Sequence, residues 1–168
     1  SLLTAAVVAM CAASTVALAA PHAHTHGEAQ AEMSLERNQL SLALTLPMEV
    51  LVGFERAPRG DAETQRWNQA LGQLGQTDAL WSLTPAAACK AQPPKTDLPT
   101  WGKQAHTDVV VTYTWQCDQP KALDRIETQL FERFKRLRRV ELAHVTPKGQ
   151  GMTRLTPKKP QWVAGTAP

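Results

Sequence analysis

Three histidines at alternate positions, His22, His24 and His26, stand together in a chain that has only five. In an extended backbone all three point the same way, with successive side chains roughly 6.5–7 Å apart. Two imidazoles at that spacing reach one ion only where the backbone bends, and Pro21 before the run and Gly27 after it permit a bend. Zinc takes about four N, O or S ligands, with Zn–N near 2.0–2.1 Å. The local imidazoles, joined by Glu28, by His106 or by water, would satisfy it. The competing reading is a solvated tail whose histidines do nothing. The concentration of the residue type favours metal binding. Because imidazole binds metal in its neutral form, affinity is expected to fall as pH drops through about 6.5.

Copper is the rival ion. Cleavage after Ala19 would leave Ala20-Pro21-His22 at the amino terminus, the placement of third-position copper and nickel sites. Such sites use the deprotonated amide of the second residue, and proline has no amide hydrogen.

The other chemistry-bearing residues are sparser. His106 stands near Asp108 at the start of a strand pattern, and its roles as ligand or as surface residue both stay open. His144 lies within an apolar alternation and reads as a satisfied strand residue. Lys135-Arg136 and Arg138-Arg139 read as a solvated face beside an apolar stripe. The five tryptophans, at 67, 81, 101, 115 and 162, are too scattered for a ligand cage and read as core or sheet cover. No H-E-x-x-H, G-x-S-x-G, P-loop or G-x-G-x-x-G is present. The expectation is a protein without catalytic activity. A hydrolase or metal-dependent enzyme with a site assembled in space is the rival from that class.

At 168 residues there is room for one ordinary domain. A net charge of +3 is too weak for a nucleic-acid footprint. Residues 1–19 read as a signal peptide trimmed at its start. An uncharged apolar core ends in Ala17-Leu18-Ala19, with small residues where a signal peptidase cuts. A membrane helix needs roughly 20 apolar residues, which this run only just approaches, so the mature chain is expected to have no integral membrane segment. Export leaves Cys89 and Cys117 as an even pair in an oxidising compartment, where a disulfide is the natural assignment. Two thiolates of a metal site are the less favoured alternative.

The elements that would position these residues follow from periodicity. Glu28 to Leu35 and Leu40 to Leu46 alternate apolar and polar residues around a short polar turn, which predicts a hairpin. Met48 to Phe54 reads as one helical turn. Asp61 is the expected cap of a helix through Trp67, Leu71 and Leu74, with Gly75 as its stop. A second short helix is expected to carry Leu80, Trp81 and Leu83. Cys89 to Thr107 reads as a loop around one short strand, and Asp108 to Cys117 as the clearest strand of the chain. Leu123 to Leu137 fits one helix face, or else a strand from Arg125 followed by a short helix through Phe134. Val140–Val145 and Met152–Leu155 are expected to pair around a Pro147–Gln150 turn. The resulting fold class is α+β. It is a single domain with a mostly antiparallel sheet, one or two helices packed on it and one disulfide. Its expected limits are a flexible His-rich arm at 20–27, the domain at 28–157 and a loose tail at 158–168.

Several stretches resemble the ZrgA family of periplasmic zinc-responsive proteins. They are His24-Thr25-His26-Gly27, Leu51-Val52-Gly53-Phe54-Glu55-Arg56-Ala57-Pro58, Cys89, Tyr113-Thr114-Trp115-Gln116-Cys117 and Val145-Thr146-Pro147-Lys148-Gly149-Gln150. The resemblance implies zinc binding in the periplasm and assistance to a zinc-uptake ABC transporter and its solute-binding protein. What carries over is the histidine cluster and His106. Family members commonly have a long His/Asp/Glu-rich insertion between the cysteines. Here that interval, Lys90 to Gln116, holds His106 as its one histidine, so multi-ion storage there is not expected. The functional expectation is therefore delivery or buffering of Zn²⁺. The alternative is a protein-interaction module of a transporter system with a vestigial metal site.

Overall fold

The computed structural model describes residues 26–101 and 107–165. The predicted hairpin is its centre. β1 (Glu28–Glu36) buries Ala29, Ala31, Met33 and Leu35, and β2 (Gln39–Pro47) buries Leu40, Leu42, Leu44 and Leu46. The two pair antiparallel, with Ala31 opposite Leu44 and Leu35 opposite Leu40. Arg37, at φ 55°, takes the left-handed conformation that lets a two-residue turn join them. Pro47 ends the ladder, and α1 (Met48–Val52) follows with Met48 and Val50 to Val52 buried. Gly53 stops α1 at φ 86°, and a Cβ there would lie 2.9 Å from Arg136 Nη2. Both the backbone conformation and the close approach of the guanidinium require glycine.

α2 (Gly60–Leu74) presents Trp67, Ala70 and Leu74 to the core. Asp61 does not cap it, because the helix begins one residue earlier. Glu63 takes that role, accepting a hydrogen bond from the Arg59 backbone N–H at 2.6 Å and a two-pronged contact from Arg56 at 2.6 and 2.8 Å. The Arg56 guanidinium, more than any other neighbour, holds the Glu63 carboxyl down at about 2. α3 (Thr77–Leu80) is a single turn. Trp81 and Leu83, expected on that helix, instead belong to β3 (Trp81–Leu83). The stretch expected to hold one short strand contains two, β4 (Cys89–Ala91) and β5 (Lys95–Asp97). β6 (Asp108–Cys117) runs as predicted and buries Val109, Val111, Tyr113, Trp115 and Cys117.

The ambiguity after Pro120 resolves as β7 (Arg125–Thr128) followed by α4 (Leu130–Arg133). β8 (Arg139–Thr146) and β9 (Gly149–Leu155) form the second expected hairpin. The tail does not stay loose from 158 onward. Gln161–Val163 forms β10 against β7, and Trp162 is buried at 2% exposure. A lone tryptophan between prolines carries no periodicity, so only its tertiary partners reveal that strand.

The large sheet has seven strands in the order β4-β6-β2-β1-β8-β9, with β5 also on β6. It is antiparallel except for the β1–β8 pair. β10, β7 and β3 make a second, three-stranded sheet. The two share one core. Tyr113 on β6 meets the Trp81 ring edge-on at 5.6 Å and donates a hydrogen bond to the Leu74 carbonyl at 2.9 Å, while His144 on β8 meets the Trp162 ring at 5.4 Å. The small sheet and α2 therefore cover the apolar face of the large one. Its other face carries cross-strand pairs of opposite charge, Glu28 with Arg139 and Glu141 with Arg154. This is an α+β fold with one disulfide, Cys89–Cys117, whose Cα atoms are 3.8 Å apart on register partners of β4 and β6. Among the described residues no helix is long and apolar enough to cross a membrane.

Candidate metal centre

The long strands of the large sheet run between the end where the chain enters β1 and the end where Cys89 and Cys117 are joined, while β4 lies at the disulfide end alone and β5 near the entry end. At the entry end lie the start of β1, the close of β2 with α1, and the start of β6, since Pro47 is the register partner of Asp108. Thr107, the residue after His106, accepts a hydrogen bond from the Met48 N–H at 2.9 Å. Gly27 is buried at φ 80°, and its carbonyl accepts from the backbone N–H groups of Arg138 and Arg139 at 2.8 and 3.3 Å. A Cβ at Gly27 would lie 3.0 Å from the Arg136 carbonyl oxygen. These contacts fix the backbone immediately after His26.

His26 itself is 85% exposed, and its Nδ1 lies 3.4 Å from Oε2 of Glu49. Glu49 is the second residue of α1, and its side chain is only 23% exposed. Sequence reasoning missed it. The two residues are distant in the chain, and only the return of β2 alongside β1 brings them together.

The other residues expected at the site are distributed differently. Glu28 points to the outer face of the sheet, where Arg139 Nη2 holds its Oε1 at 2.5 Å. His22, His24 and His106 lie outside the described residues, as does the expected signal peptide. Cys89 and Cys117 are spent in the disulfide and offer no thiolate. His144 is on the inner side of β8, its ring facing Trp162 and Gly151, where a Cβ would lie 3.3 Å from Nε2. Burial pushes its imidazole below the ordinary histidine value, and a bond with the Gly149 backbone offsets part of the drop. Among the described residues no group of three or more His, Cys, Asp or Glu side chains converges as a metal site. What converges is a pair, one imidazole nitrogen and one carboxylate oxygen.

A second concavity lies elsewhere. An open cleft of about 660 Å³ on the outer face runs across β2, β1, β8 and β9 and is lined by Glu32, Ser34, Ser41, Ala43 and Ala143. Val145 and Met152 at its rim are 58% and 51% exposed. It holds one carboxylate, and its lining is mostly small or apolar.

The sequence model described as ZrgA family zinc uptake protein matches residues 23–163. That span begins inside the histidine run, after His22, and ends with β10. A search of curated proteins finds no match.

Proposed function

This chain belongs to the ZrgA family of zinc uptake proteins, and from that premise we propose that it binds Zn²⁺ in the periplasm and delivers or buffers it for a zinc-uptake transporter. His22, His24 and His26 are the proposed ligands, completed by a nearby carboxylate or by His106. The observation that carries the reading is the placement of His26, the last of the run. It is 85% exposed and stands beside a carboxylate at the end of the sheet where β1 starts, so an ion held there would be open to a partner instead of enclosed. The Cys89–Cys117 disulfide supports an oxidising compartment. The expected partner is a periplasmic zinc solute-binding protein or an ABC transporter component. The proposed role is carriage without catalysis.

Calorimetric titration of the mature protein with Zn²⁺ and Cu²⁺ tests this, alongside a variant with His22, His24 and His26 all changed to Ala. Zinc binding at micromolar concentration that disappears in the triple variant is the expected result. Binding that survives in the triple variant overturns the ligand assignment. The interaction-module reading has its own support in the exposed Val145 and Met152 on the open outer face. Absence of zinc binding by the wild-type protein would favour it.

A further inference from the structure

We propose that Glu49, and not Glu28, supplies the protein carboxylate of the zinc site, acting with Nδ1 of His26. This rests on the zinc-binding reading above and names a ligand within it.

Geometry is the first ground. With ligand bonds near 2.0–2.1 Å at the tetrahedral angle, two zinc donors stand about 3.3 Å apart. His26 Nδ1 and Glu49 Oε2 are 3.4 Å apart. The pair already spans one edge of a zinc tetrahedron. An N–H···O hydrogen bond would draw the same atoms to roughly 2.7–3.2 Å.

Charge is the second ground. The other half-buried carboxylates with ion partners are each held by arginine: Glu28 by Arg139, Glu63 by Arg56, Glu127 by Arg125 and Glu141 by Arg139 and Arg154. Glu49, as withdrawn from solvent as these, has His26 as its one ion partner among the described residues. A carboxylate given up from water without a guanidinium is the one whose charge a divalent cation would compensate. For Glu28 to bind metal, its carboxylate would have to serve the ion and Arg139 at once.

Rigidity is the third. Glu49 sits on a helical turn whose Met48, Val50 and Val52 are at most 1% exposed, and His26 precedes a glycine clamped by two backbone hydrogen bonds. The two donors therefore meet with little to reorganise, as a preformed metal site needs. The exposure of His26 leaves the remaining coordination positions to further donors or water.

The test is zinc titration of the full mature chain as wild type, Glu49→Gln and Glu28→Gln, with thermal unfolding of each metal-free protein to confirm the fold. Even an outer-shell partner of a bound metal is worth roughly 10–100-fold in affinity, and a direct ligand should cost at least that. Glu49→Gln is expected to bind zinc at least tenfold more weakly, Glu28→Gln within about twofold of wild type. With Co²⁺ as probe, Glu49→Gln should also alter the d–d spectrum, which reports the ligand set and its geometry. Wild-type affinity in Glu49→Gln, with binding still lost in the triple histidine variant, overturns this inference and leaves the zinc-binding reading standing. Loss in Glu28→Gln but not in Glu49→Gln overturns it in favour of the other carboxylate. Absence of zinc binding by the wild-type protein overturns both.

Discussion

The two ends of the large sheet are built on opposite principles. At the far end, the Cys89–Cys117 bridge ties β4 to β6, the Arg37-Asn38 turn closes β1 onto β2, and the Cys117 N–H bonds the Asn38 carbonyl at 2.8 Å. At the entry end no covalent link is present among the described residues. The backbone there is held by a glycine in a left-handed conformation and by hydrogen bonds to Gly27 and Thr107, and an imidazole is left facing a carboxylate. Between them lies an apolar face in which Leu40, Leu42, Leu44 and Leu46 have no measurable exposure. The covalent constraint lies at the far end, and the apolar burial runs from there to α1 at the entry end. The entry end can therefore hold an exposed imidazole beside a carboxylate without disturbing the core.

The contrast breaks most readily at the disulfide. Changing both Cys89 and Cys117 to Ser removes the constraint on a loop with a sequence separation of 28, an expected loss of about 3–4 kcal/mol in urea unfolding. Below the lowered melting temperature, zinc affinity should be unchanged. A parallel fall in affinity would show that the two ends are mechanically coupled after all.

Tyr113→Phe probes the middle. It deletes the phenol that bonds the Leu74 carbonyl, leaving a buried acceptor unpaired, and should cost about 1–2 kcal/mol in the same assay. Burial pushes that phenol well above its ordinary pKa, so its hydrogen bond persists through any pH at which the fold is studied.

The smallest expected effects are in the pH dependence. The folded Glu63 carboxyl sits at about 2, below the ordinary value of 4.5. Its contribution is therefore fully present above 4.5 and is lost as pH falls from there towards 2. In Glu63→Gln the urea midpoint should decline less over that window. His144 is also lowered in the folded state, so the unfolded chain takes up its proton first as pH drops below 6.5. Stability should begin to sag there, and His144→Gln should flatten that part of the profile. A profile unchanged by either variant would remove these groups from the acid sensitivity of the fold.

Much of the scaffold is legible in the sequence, and for one reason. Strands with one buried face repeat every two residues, so β1, β2, β6 and β8 announce themselves through local alternation. Where a segment is too short to show a period, the pattern leaves helix and strand both open. Leu123, Ile126, Leu130, Phe131 and Phe134 are all buried at helical spacing, yet Ile126 and Thr128 lie in a strand, because β3 and β10 arrive to pair with β7. The Trp81 strand and the Trp162 strand were hidden in the same way, each having only three residues to declare itself.

The candidate site divides along the same line. The histidine run, the pair Cys89 and Cys117 and the family resemblance are properties of residue type and order, and the sequence alone determined them. Which carboxylate faces His26 depends on distances between strands. Glu28 is two residues from His26 in the chain, but Arg139, brought in by the parallel pairing of β8 with β1, claims it on the outer face. Glu49 is remote in the chain, and the antiparallel return of β2 sets it beside the imidazole. Nearness in sequence does not decide which acid faces the imidazole, because a neighbour in the chain is free to pair across the sheet with a charge that only the fold supplies.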